Sequence, residues 1–491
     1  MNRASSSRAP SGALLGLALA AGIAATGCVV GPDYREPKLA LDPTFVNAPA
    51  ATTPANADIV AFWQGFGDAD LSALIERGLA ANGDVRIAQA RLQESRATLQ
   101  GARAELLPEI GVAADAGRAL NPGYLQPSAS RSERSTGFYD AAFTASWELD
   151  FFGRNRRASE SAAAQVDASQ AGVHAAQTIV AAEIARNYLE LRGLQLRVAV
   201  AQDSIVNQRE TLRITRARLD AGRGTQLDVA RAQTQLDSTE STLPALQVAV
   251  DRTAYRIATL AAEPLREVAA RLAPPRLLPT LPVTDLSALP LGTPEQLLRR
   301  RPDLVQSERQ LAAATAAIGV ATADLFPRVS LTGLLGFASN QLSSFGQGSS
   351  QQYSLVAGLT WPLLDFGRVR SRIAASEARS LQALAGYEQT VATALEETEG
   401  ALSQFSHSAE QAAKLSSAAR NAEEAARLSK LRFDAGSADF LVVLDAERQS
   451  LFARDALVRA QVDQATSLVS VYRALGGGWN GPAVASLAAA K

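Results

Sequence analysis

The sequence has little of what most catalytic and metal-binding proteins contain, because its 491 residues include one cysteine and two histidines. A single cysteine cannot form a disulfide within the chain. His174 and His407 lie far apart, without metal-ligand residues beside them. No nucleophile elbow, phosphate-binding loop or Cys/His cluster occurs, and the carboxylates are scattered in the manner of helix-surface charges. We therefore expect no enzyme activity, no catalytic residue, no metal ion and no cofactor.

An excess of charge of one sign is also absent. The 48 Lys and Arg residues balance 49 Asp and Glu residues, so the formal net charge is −1 and nothing predicts nucleic-acid binding. Aromatic residues make up only 5% of the chain although hydrophobic residues make up 47%, because much of the apolar content is alanine. Ala-rich sequence interspersed with Gln, Glu and Arg favours long, closely packed helices over a globular core of large side chains.

Long hydrophobic runs are missing as well, so any membrane crossing is expected to use β-strands. The apolar run 11–24 is too short for a membrane-spanning helix, follows basic residues, and is soon followed by Ala-Thr-Gly-Cys, which ends at Cys28. This arrangement resembles a signal peptide (1–27) and a bacterial lipobox, the alternative being a buried free cysteine. Cys28 would then carry S-diacylglycerol and N-acyl chains such as palmitate, which together anchor a protein stably. In bacterial lipoproteins an aspartate directly after the acylated cysteine favours retention in the inner membrane. This sequence has Val29 at that position and so resembles lipoproteins that are sent to the outer membrane.

The chain repeats itself. The stretch W-E-L-D-F-F-G-R at 147–154 returns as W-P-L-L-D-F-G-R at 361–368, which is 214 positions later, and 219–233 matches 433–447 at the same offset. Upstream, E-L-L-P-E-I at 105–110 matches D-L-F-P-R-V at 324–329 at an offset of 219. Three motifs in the same order indicate a tandem duplication rather than chance similarity. A unit of this length predicts two halves of one pseudo-symmetric body rather than a solenoid.

Each repeat contains segments in which apolar residues alternate with small or polar ones, as in 139–149, 329–337 and 353–363. This period of two predicts β-strands, paired in hairpins at about 109–150 and 328–364. One apolar face and strands of about ten residues are typical of a membrane barrel, the alternative being an ordinary soluble hairpin. Four strands cannot close a barrel and lipid tolerates no open edge, so we expect three copies to supply twelve strands.

A very long helical pattern follows each Phe-Gly-Arg motif, over 154–220 and 368–434. Apolar residues recur every seventh position, which predicts coiled-coil packing over roughly 100 Å. In the first copy they are Ile184, Leu191, Val198, Ile205, Leu212 and Leu219. Each helix should end at Asp-Ala-Gly and be followed by a return helix, with a kink at Pro244 in the first copy.

These elements predict a mixed fold of α-helices and membrane β-strands. Each chain would contribute four strands to a twelve-stranded membrane sheet closed by three copies, together with long coiled-coil helices and a small mixed belt formed by the Pro-rich linker beside them. The expected segments are a signal peptide (1–27), an extended segment (28–61), a first repeat (62–262), a Pro-rich linker (263–293), a second repeat (294–475) and a C-terminal tail (476–491).

Eight short motifs give the chain a resemblance to the TolC/OprM-type outer-membrane efflux factors, in particular their NodT-like lipoprotein branch. The motifs are C-V-V-G-P-D-Y-R-E-P (28–37), F-W-Q-G-F-G-D-A-D-L (62–71), both F-G-R motifs, both D-A-G turns, V-L-D-A-E-R (443–448) and A-L-G-G-G-W (474–479). They span the mature chain in order.

The resemblance implies a trimeric twelve-stranded outer-membrane β-barrel that is continuous with a long α-helical coiled-coil barrel and has a small equatorial belt. Such a protein is a passive homotrimeric exit duct with a long periplasmic extension, serving drugs or other small molecules in multidrug resistance. It also implies two partners, a periplasmic adaptor (membrane fusion protein) and an inner-membrane pump of the resistance-nodulation-division class. Two alternatives stay open: a duct of a type I protein-secretion system, and a lipid-anchored periplasmic coiled-coil scaffold without a pore. The alternating segments argue against the scaffold.

The resemblance also implies candidate gate residues at the periplasmic end. Leu441, Asp445 and Arg448 match positions that narrow and latch the tunnel, and Asp228 matches an acidic gate position in the first copy. Arg231 is the repeat-mate of Asp445. We hypothesise that the links Asp445–Arg231 and Asp228–Arg448 keep the end closed until the adaptor engages. The alternative is a set of solvated helix faces, where an exposed pair contributes only ~0–1 kcal/mol.

The tip turns, residues 218–224 and 432–437, are the expected adaptor contact. They contain Gly222 and Gly436 within small-residue sequence that allows a partner helix to approach closely. Glycine at these positions also suits a plain helix C-terminus.

Overall fold

The computed structural model describes residues 29–48, 59–288 and 291–477, so the signal peptide and Cys28 lie outside the described residues. The elements follow one another as α1 (Ile59–Gln64), α2 (Ala69–Ala81), α3 (Gly83–Ala104), β1 (Glu109–Leu120), β2 (Ser135–Leu149), α4 (Arg154–Asp220), α5 (Gln226–Glu240), α6 (Thr242–Ala261), α7 (Leu265–Leu272), α8 (Pro294–Arg300), α9 (Pro302–Ala323), β3 (Arg328–Ser339), β4 (Gln351–Thr360), α10 (Arg368–Asp434) and α11 (Phe440–Ala474). Among the described residues, no helix has a stretch that is both long and apolar enough to cross a membrane.

The chain divides into two compact units that do not coincide with the sequence repeats. The described part of the first unit comprises 29–37, 92–168 and 307–387, and contains all four strands. The second unit comprises the described residues within 38–91, 169–306 and 388–477, and is helical. Each unit therefore takes segments from both repeats, because the two copies pack against each other rather than folding separately.

The strands form one antiparallel sheet in the order β1-β2-β3-β4. Within the first repeat, Val112 lies opposite Phe143, and within the second, Leu331 lies opposite Ala357. The two hairpins are joined by β2 and β3, where Trp147 lies opposite Leu331. The alternating pattern therefore predicted the strands and their hairpin pairing.

The helices α4 and α10 each have 67 residues and coincide with the ranges expected from the heptads. Carboxylates cap their first turns: Asp150 accepts from the backbone N–H groups of Asn155 and Arg156, and Asp365 accepts from those of Gly367 and Val369. These bonds satisfy donors that would otherwise lack partners at a helix start.

The stripe of residues that recur every seventh position faces the interior in both copies. In the second unit its members are buried or half-buried along α4 and α10, and the second copy places small or polar residues at several positions. The stripe comprises Ile184, Leu191, Val198, Ile205, Leu212 and Leu219 in α4, and Thr398, Phe405, Ala412, Ala419, Ala426 and Phe433 in α10.

The first return helix is interrupted, as expected, but not at Pro244. The break falls at Ser241, where α5 ends and α6 begins, and Pro244 lies in the first turn of α6. Proline is tolerated in a first turn because the backbone N–H that it lacks would have no partner there. The second copy has Val458 at the matching position, and α11 runs unbroken for 35 residues.

Two segments differ from the sequence prediction. The helix α1 begins inside the range predicted to be extended (28–61), because its aromatic residues pack against the helical unit. Phe62 stacks on Tyr472 at 3.9 Å between ring centroids, and Trp63 is buried beside them. The Pro-rich linker (263–293) is the segment that the sequence predicts to form a mixed belt, and its described residues 263–288 contain α7 and a short 3-10 turn but no strand. Val268 and Leu272 of α7 are buried, so this part of the belt is helical.

Candidate functional site

The sheet has one apolar face, and much of that face is exposed in the single chain. Its members alternate along all four strands and meet side by side in the observed register: Ile110, Val112, Ala114, Tyr139, Phe143, Trp147, Leu331, Leu335, Tyr353, Leu355 and Leu359. Val112, Phe143 and Leu355 are all exposed. The opposite face has small and polar residues such as Thr144, Ser146 and Ser330. Alternation of this kind is typical of strands with lipid on one side and water on the other.

Both edges of the sheet lack a neighbouring strand in the described part of one chain, because β1 and β4 end the strand order. The backbone N–H and C=O groups on these edges therefore need partners that the single chain does not supply. In hydrocarbon each unsatisfied group costs several kcal/mol, so an open edge is not stable there.

The two repeats build the same contact at the base of the sheet. The indole Nε1–H of Trp147 donates to the Leu106 carbonyl at 3.0 Å, and that of Trp361 donates to the Leu325 carbonyl at 3.0 Å. Gly153 then turns the chain with φ +78°. This left-handed backbone conformation is one that glycine adopts without steric cost. The repeated Trp-to-Gly stretch thus leads each hairpin into its long helix.

A hydrophobic cluster joins the helix ends next to the tip turns. It combines α4, α5, α10 and α11, and so brings the two repeats together within the second unit. Its buried residues are Ile205, Leu212, Ala232, Leu236, Phe433, Phe440 and Val443.

Arg218 links the ends of α4 and α10 directly. Its Nη2 donates to the Phe433 carbonyl at 2.6 Å, and its guanidinium lies over the Phe433 ring at 3.7 Å from the centroid. Both contacts involve a cation and are stronger than neutral equivalents. Arg218 is not among the site residues predicted from the sequence, although arginine two residues before Asp-Ala-Gly recurs in the second copy as Arg432 and could have marked it.

Glu447 is a second residue of this region that was not predicted from the sequence. Its carboxylate Oε1 accepts a hydrogen bond from the Thr211 hydroxyl at 2.7 Å, while Oε2 is buried without a hydrogen-bond partner among the residues that the structure describes. Burial raises the pKa of Glu447, and the Thr211 bond opposes that change only in part. Glu447 lies within the motif at 443–448, but the sequence did not mark its carboxylate as buried, because a glutamate on a helix normally faces solvent.

The candidate gate residues do not form the two hypothesised links within one chain. Arg448 instead pairs with Asp445 on its own helix, at 3.1 Å between Nη2 and Oδ1, and both side chains are exposed. Asp228 accepts from the backbone N–H of Thr225 at 3.2 Å, and so caps α5. Leu441 is exposed, and Arg231 is exposed without an ion pair in the described part of the chain.

The tip turns end their helices through the same glycine motif. Gly222 has φ +71° and Gly436 has φ +74°, and the N–H of each bonds the carbonyl three residues earlier. The next residue bonds the carbonyl five residues earlier, which completes a Schellman motif. A Cβ added at either glycine would meet nothing within 4 Å, so both turns present open surface.

A short segment directly after Cys28, Val29–Tyr34, packs against the first unit, and we name it the strap. Arg157, which is only 4% exposed, donates to the Val30 carbonyl at 3.1 Å and the Gly31 carbonyl at 3.2 Å. Gly31 crosses so close to Gly319 that an added Cβ would lie 2.4 Å from its Cα. The strap is thereby held at the start of α4.

Comparison with known proteins gives matches that cover most of the chain. Residues 74–263 and 293–477 match the model of the family described as outer membrane efflux protein. Nodulation protein T of Rhizobium leguminosarum bv. trifolii is 30% identical over 462 residues, covering 94% of this chain and 97% of that protein. Outer membrane protein OprJ of Pseudomonas aeruginosa is 30% identical over 459 residues, covering 92% and 93%. The solved structure of the outer-membrane channel OprN superposes with a TM-score of 0.84 at 39% identity, covering 92% of this chain and 100% of that one.

An exposed apolar sheet face, two long helices and this likeness define an outer-membrane channel. The chain belongs to the outer membrane efflux protein family, so the resemblance inferred from its motifs is confirmed. Family members are outer-membrane channels of tripartite efflux systems, and this protein is accordingly an efflux channel located in the outer membrane.

Proposed function

We propose that the protein works as a lipid-anchored homotrimer, a passive exit duct for drugs or other small molecules from periplasm to exterior. The observation that carries the proposal is the sheet, which exposes an apolar face and leaves the outer edges of β1 and β4 without a neighbouring strand in the described part of one chain. Three copies supply twelve strands, an even number within the range known for membrane sheets that close on themselves. Closure pairs every edge and satisfies the backbone groups that lipid cannot.

The strap supports acylation at Cys28. Val30 donates its backbone N–H to the Phe152 carbonyl at 3.2 Å, two residues after Cys28 and three residues beyond the end of β2. An acylated Cys28 would therefore be tethered beside the segment that leaves the sheet. Two or more acyl chains hold a protein in the membrane stably, at about 0.8 kcal/mol per buried methylene.

The tip turns suit an adaptor contact, because both glycines lie on open surface where a partner helix could come close. The proposed partners are a periplasmic adaptor and an inner-membrane pump of the resistance-nodulation-division class. The duct itself has no assigned energy source, so transport would be driven by the pump.

The proposed gate consists of Asp228, Arg231, Leu441, Asp445 and Arg448. Because one chain does not form the links Asp445–Arg231 and Asp228–Arg448, these links would join neighbouring copies. The exposure of Asp445 and Arg448 supports this, since an exposed pair on one helix contributes only ~0–1 kcal/mol and is readily exchanged for a new partner.

Single-channel conductance in planar bilayers tests the duct and the gate together. The variant Asp445→Ala removes a gate carboxylate, and Glu424→Ala is its matched control, because Glu424 forms a similar exposed pair with Arg427 on α10. We expect the wild type and Glu424→Ala to conduct alike and Asp445→Ala to conduct more. Unchanged current for Asp445→Ala would remove it from the gate. Absence of any conductance would favour the lipid-anchored scaffold, and export of a protein but of no small molecule would favour the type I secretion duct.

A further inference from the structure

Helix α4 has a buried polar stripe beside its apolar stripe. Four residues on one side of the helix form it, and none is more than 8% exposed: Ser204, Gln208, Thr211 and Thr215. In the second copy, alanine stands at the positions that match the first three of these residues. Because α10 forms and packs without them, these polar groups are not a requirement of the long helix itself, and another role has to explain them.

The polar stripe borders a cavity of about 390 Å³ between α4, α10 and α11, which we name the inter-repeat cavity. Gln208 lines it from α4 and Glu447 lines it from α11. The other ionisable residues that line it are Asp203, Glu423, Arg427, Lys430 and Arg454. All three helix segments belong to the second unit, so the cavity lies where the first repeat meets the second within that unit.

The charges around the inter-repeat cavity are paired, apart from those of Lys430 and Glu447, which have no ion pair among the described residues. The pairs are Arg454–Asp203, Arg454–Glu423 and Arg427–Glu424. Burial raises the pKa of Glu447, and the opposing effects of the Thr211 hydroxyl and of the Lys430 charge are smaller. Glu447 therefore takes up a proton at a higher pH than an exposed glutamate does.

Three side-chain atoms beside this cavity are buried without a hydrogen-bond partner in the part of the chain that the structure describes. They are Oε1 and Nε2 of Gln208 and Oε2 of Glu447. Gln208 is only 3% exposed and lies one turn before Thr211, whose hydroxyl donates to Oε1 of Glu447 at 2.7 Å. The unpaired groups thus flank the same hydroxyl. Buried polar atoms without partners are costly, so a change that pairs them is favoured.

The first copy has a neutral side chain where the second has Glu447. Gln233 is the repeat-mate of Glu447, and Arg216 is the repeat-mate of Lys430. Oε1 of Gln233 accepts from Arg216 at 2.8 Å, and its Nε2 donates to Asp237 at 2.7 Å, so both polar atoms have partners. In the second copy, Glu447 instead bonds to α4 and keeps one oxygen unpaired. The ionisable group is therefore particular to the contact between the repeats.

A single proton can pair two of the three unpaired atoms. A carboxylate only accepts hydrogen bonds, whereas a neutral carboxyl group also has an O–H that donates. Because Oε1 of Glu447 already accepts from Thr211, the proton belongs on Oε2. That O–H can donate to Oε1 of Gln208, which is an acceptor without a partner among the described residues. The same step removes a charge that burial disfavours.

We propose that protonation of Glu447 links α11 to α4 through a hydrogen bond from its Oε2–H to Oε1 of Gln208. The inference rests on the proposed duct and adds a pH response to it. Leu441 and Asp445, two of the proposed gate residues, lie within two turns of Glu447 on α11, so the link restrains the segment that bears them. The link is present in acid and is lost as pH rises through the pKa of Glu447, so the duct should open less readily in acid.

Hydrogen exchange at the Leu451 amide, one turn after Glu447, tests the link in the full-length protein without reference to transport. Glu447→Gln imitates the protonated side chain, because its amide N–H can donate to Gln208 at any pH. At pH 8 we expect exchange about tenfold slower in Glu447→Gln than in the wild type, and no slowing in Glu447→Gln/Gln208→Leu, which lacks the acceptor. At pH 4 the wild type should exchange as Glu447→Gln does. The control Glu424→Gln, on exposed α10 surface, should match the wild type at both values.

Two outcomes would overturn the link and leave the proposed duct standing. One is equal exchange at Leu451 in the wild type and Glu447→Gln at pH 8. The other is slowing that persists when Gln208→Leu is added, because the bond would then not go to Gln208.

Conductance in planar bilayers tests the consequence for transport. We expect the wild-type current to fall between pH 8 and pH 4. It should fall less in Glu447→Gln, which starts from a lower level, and less in Gln208→Leu, which starts from a higher one, whereas Glu424→Gln should follow the wild type. The same pH dependence in all four proteins would show that the link does not control the duct. Absence of conductance in all of them would refute the proposed duct, and hydrogen exchange alone would then decide the link.

Discussion

Replacement of Arg157 by methionine should release the strap that follows Cys28. Methionine keeps an apolar stem that can lie against Gly319, where the stem of Arg157 now packs, but it cannot donate to the strap. The lost bonds are those to the Val30 carbonyl at 3.1 Å and the Gly31 carbonyl at 3.2 Å, together with a 2.7 Å contact to Asp33. The strap would then rely on the bond from the Val30 N–H to the Phe152 carbonyl and on Tyr34, whose hydroxyl donates to the Glu308 carboxylate.

The size of the effect follows from which partners are exposed. The Asp33 side chain is 83% exposed, so its pair with Arg157 contributes close to nothing. A bond from a charged donor to a carbonyl contributes about 1.5–3 kcal/mol, and the lower value applies to this surface segment, so two such bonds contribute about 3 kcal/mol. Because 1.4 kcal/mol corresponds to a tenfold change in an equilibrium constant, the strap should open about a hundred times more often.

Hydrogen exchange at the Val30 amide measures this opening, because that N–H donates to the Phe152 carbonyl only while the strap is docked. We expect exchange about a hundredfold faster in Arg157→Met, with no change at Leu189, which is fully buried in α4. The control Arg213→Met removes an exposed pair with Glu210 and should change neither amide. Exchange at Val30 within about threefold of the wild-type rate would refute the assignment of Arg157 as the anchor of the strap.

The sequence predicted the long helices and the sheet because both depend on a period that extends over many residues. The heptad that includes Ile184 and Leu212 determines which side of α4 is buried, whatever the neighbours are. The alternation along β2 likewise determined which residues share a face. The position of the break near Pro244 could not be read in the same way, because proline is accepted both at a kink and in a first turn, and only packing decides between them.

The candidate site was predicted in part. The helix stops at Gly222 and Gly436 follow from local backbone conformation, so they were readable. The contact of Arg157 with the strap joins residues more than 120 positions apart and has no counterpart in the second copy, where Ser371 stands at the matching position. The repeat therefore gave no signal for it. The proposed links of Asp445 and Arg448 would join neighbouring copies, which no periodicity within one chain can specify.

Three further substitutions test packing in the second unit. Replacing Glu447 with glutamine should keep the bond from Thr211 and remove a poorly solvated charge. Since burial raises the pKa of Glu447, its charged form destabilises the folded state as pH rises through that pKa, so Glu447→Gln should raise the melting temperature at pH 8 and not at pH 4. An equal change at both values would contradict the role of the charge. Gly193→Ala should lower the melting temperature, because an added Cβ would lie 2.1 Å from Cγ2 of Val462, whereas Gly400→Ala should raise it, because nothing lies within 4 Å and alanine favours a helix by up to about 1 kcal/mol. Changes of the same sign in both glycine variants would show that helix propensity, and not the close approach of α4 to α11, governs position 193.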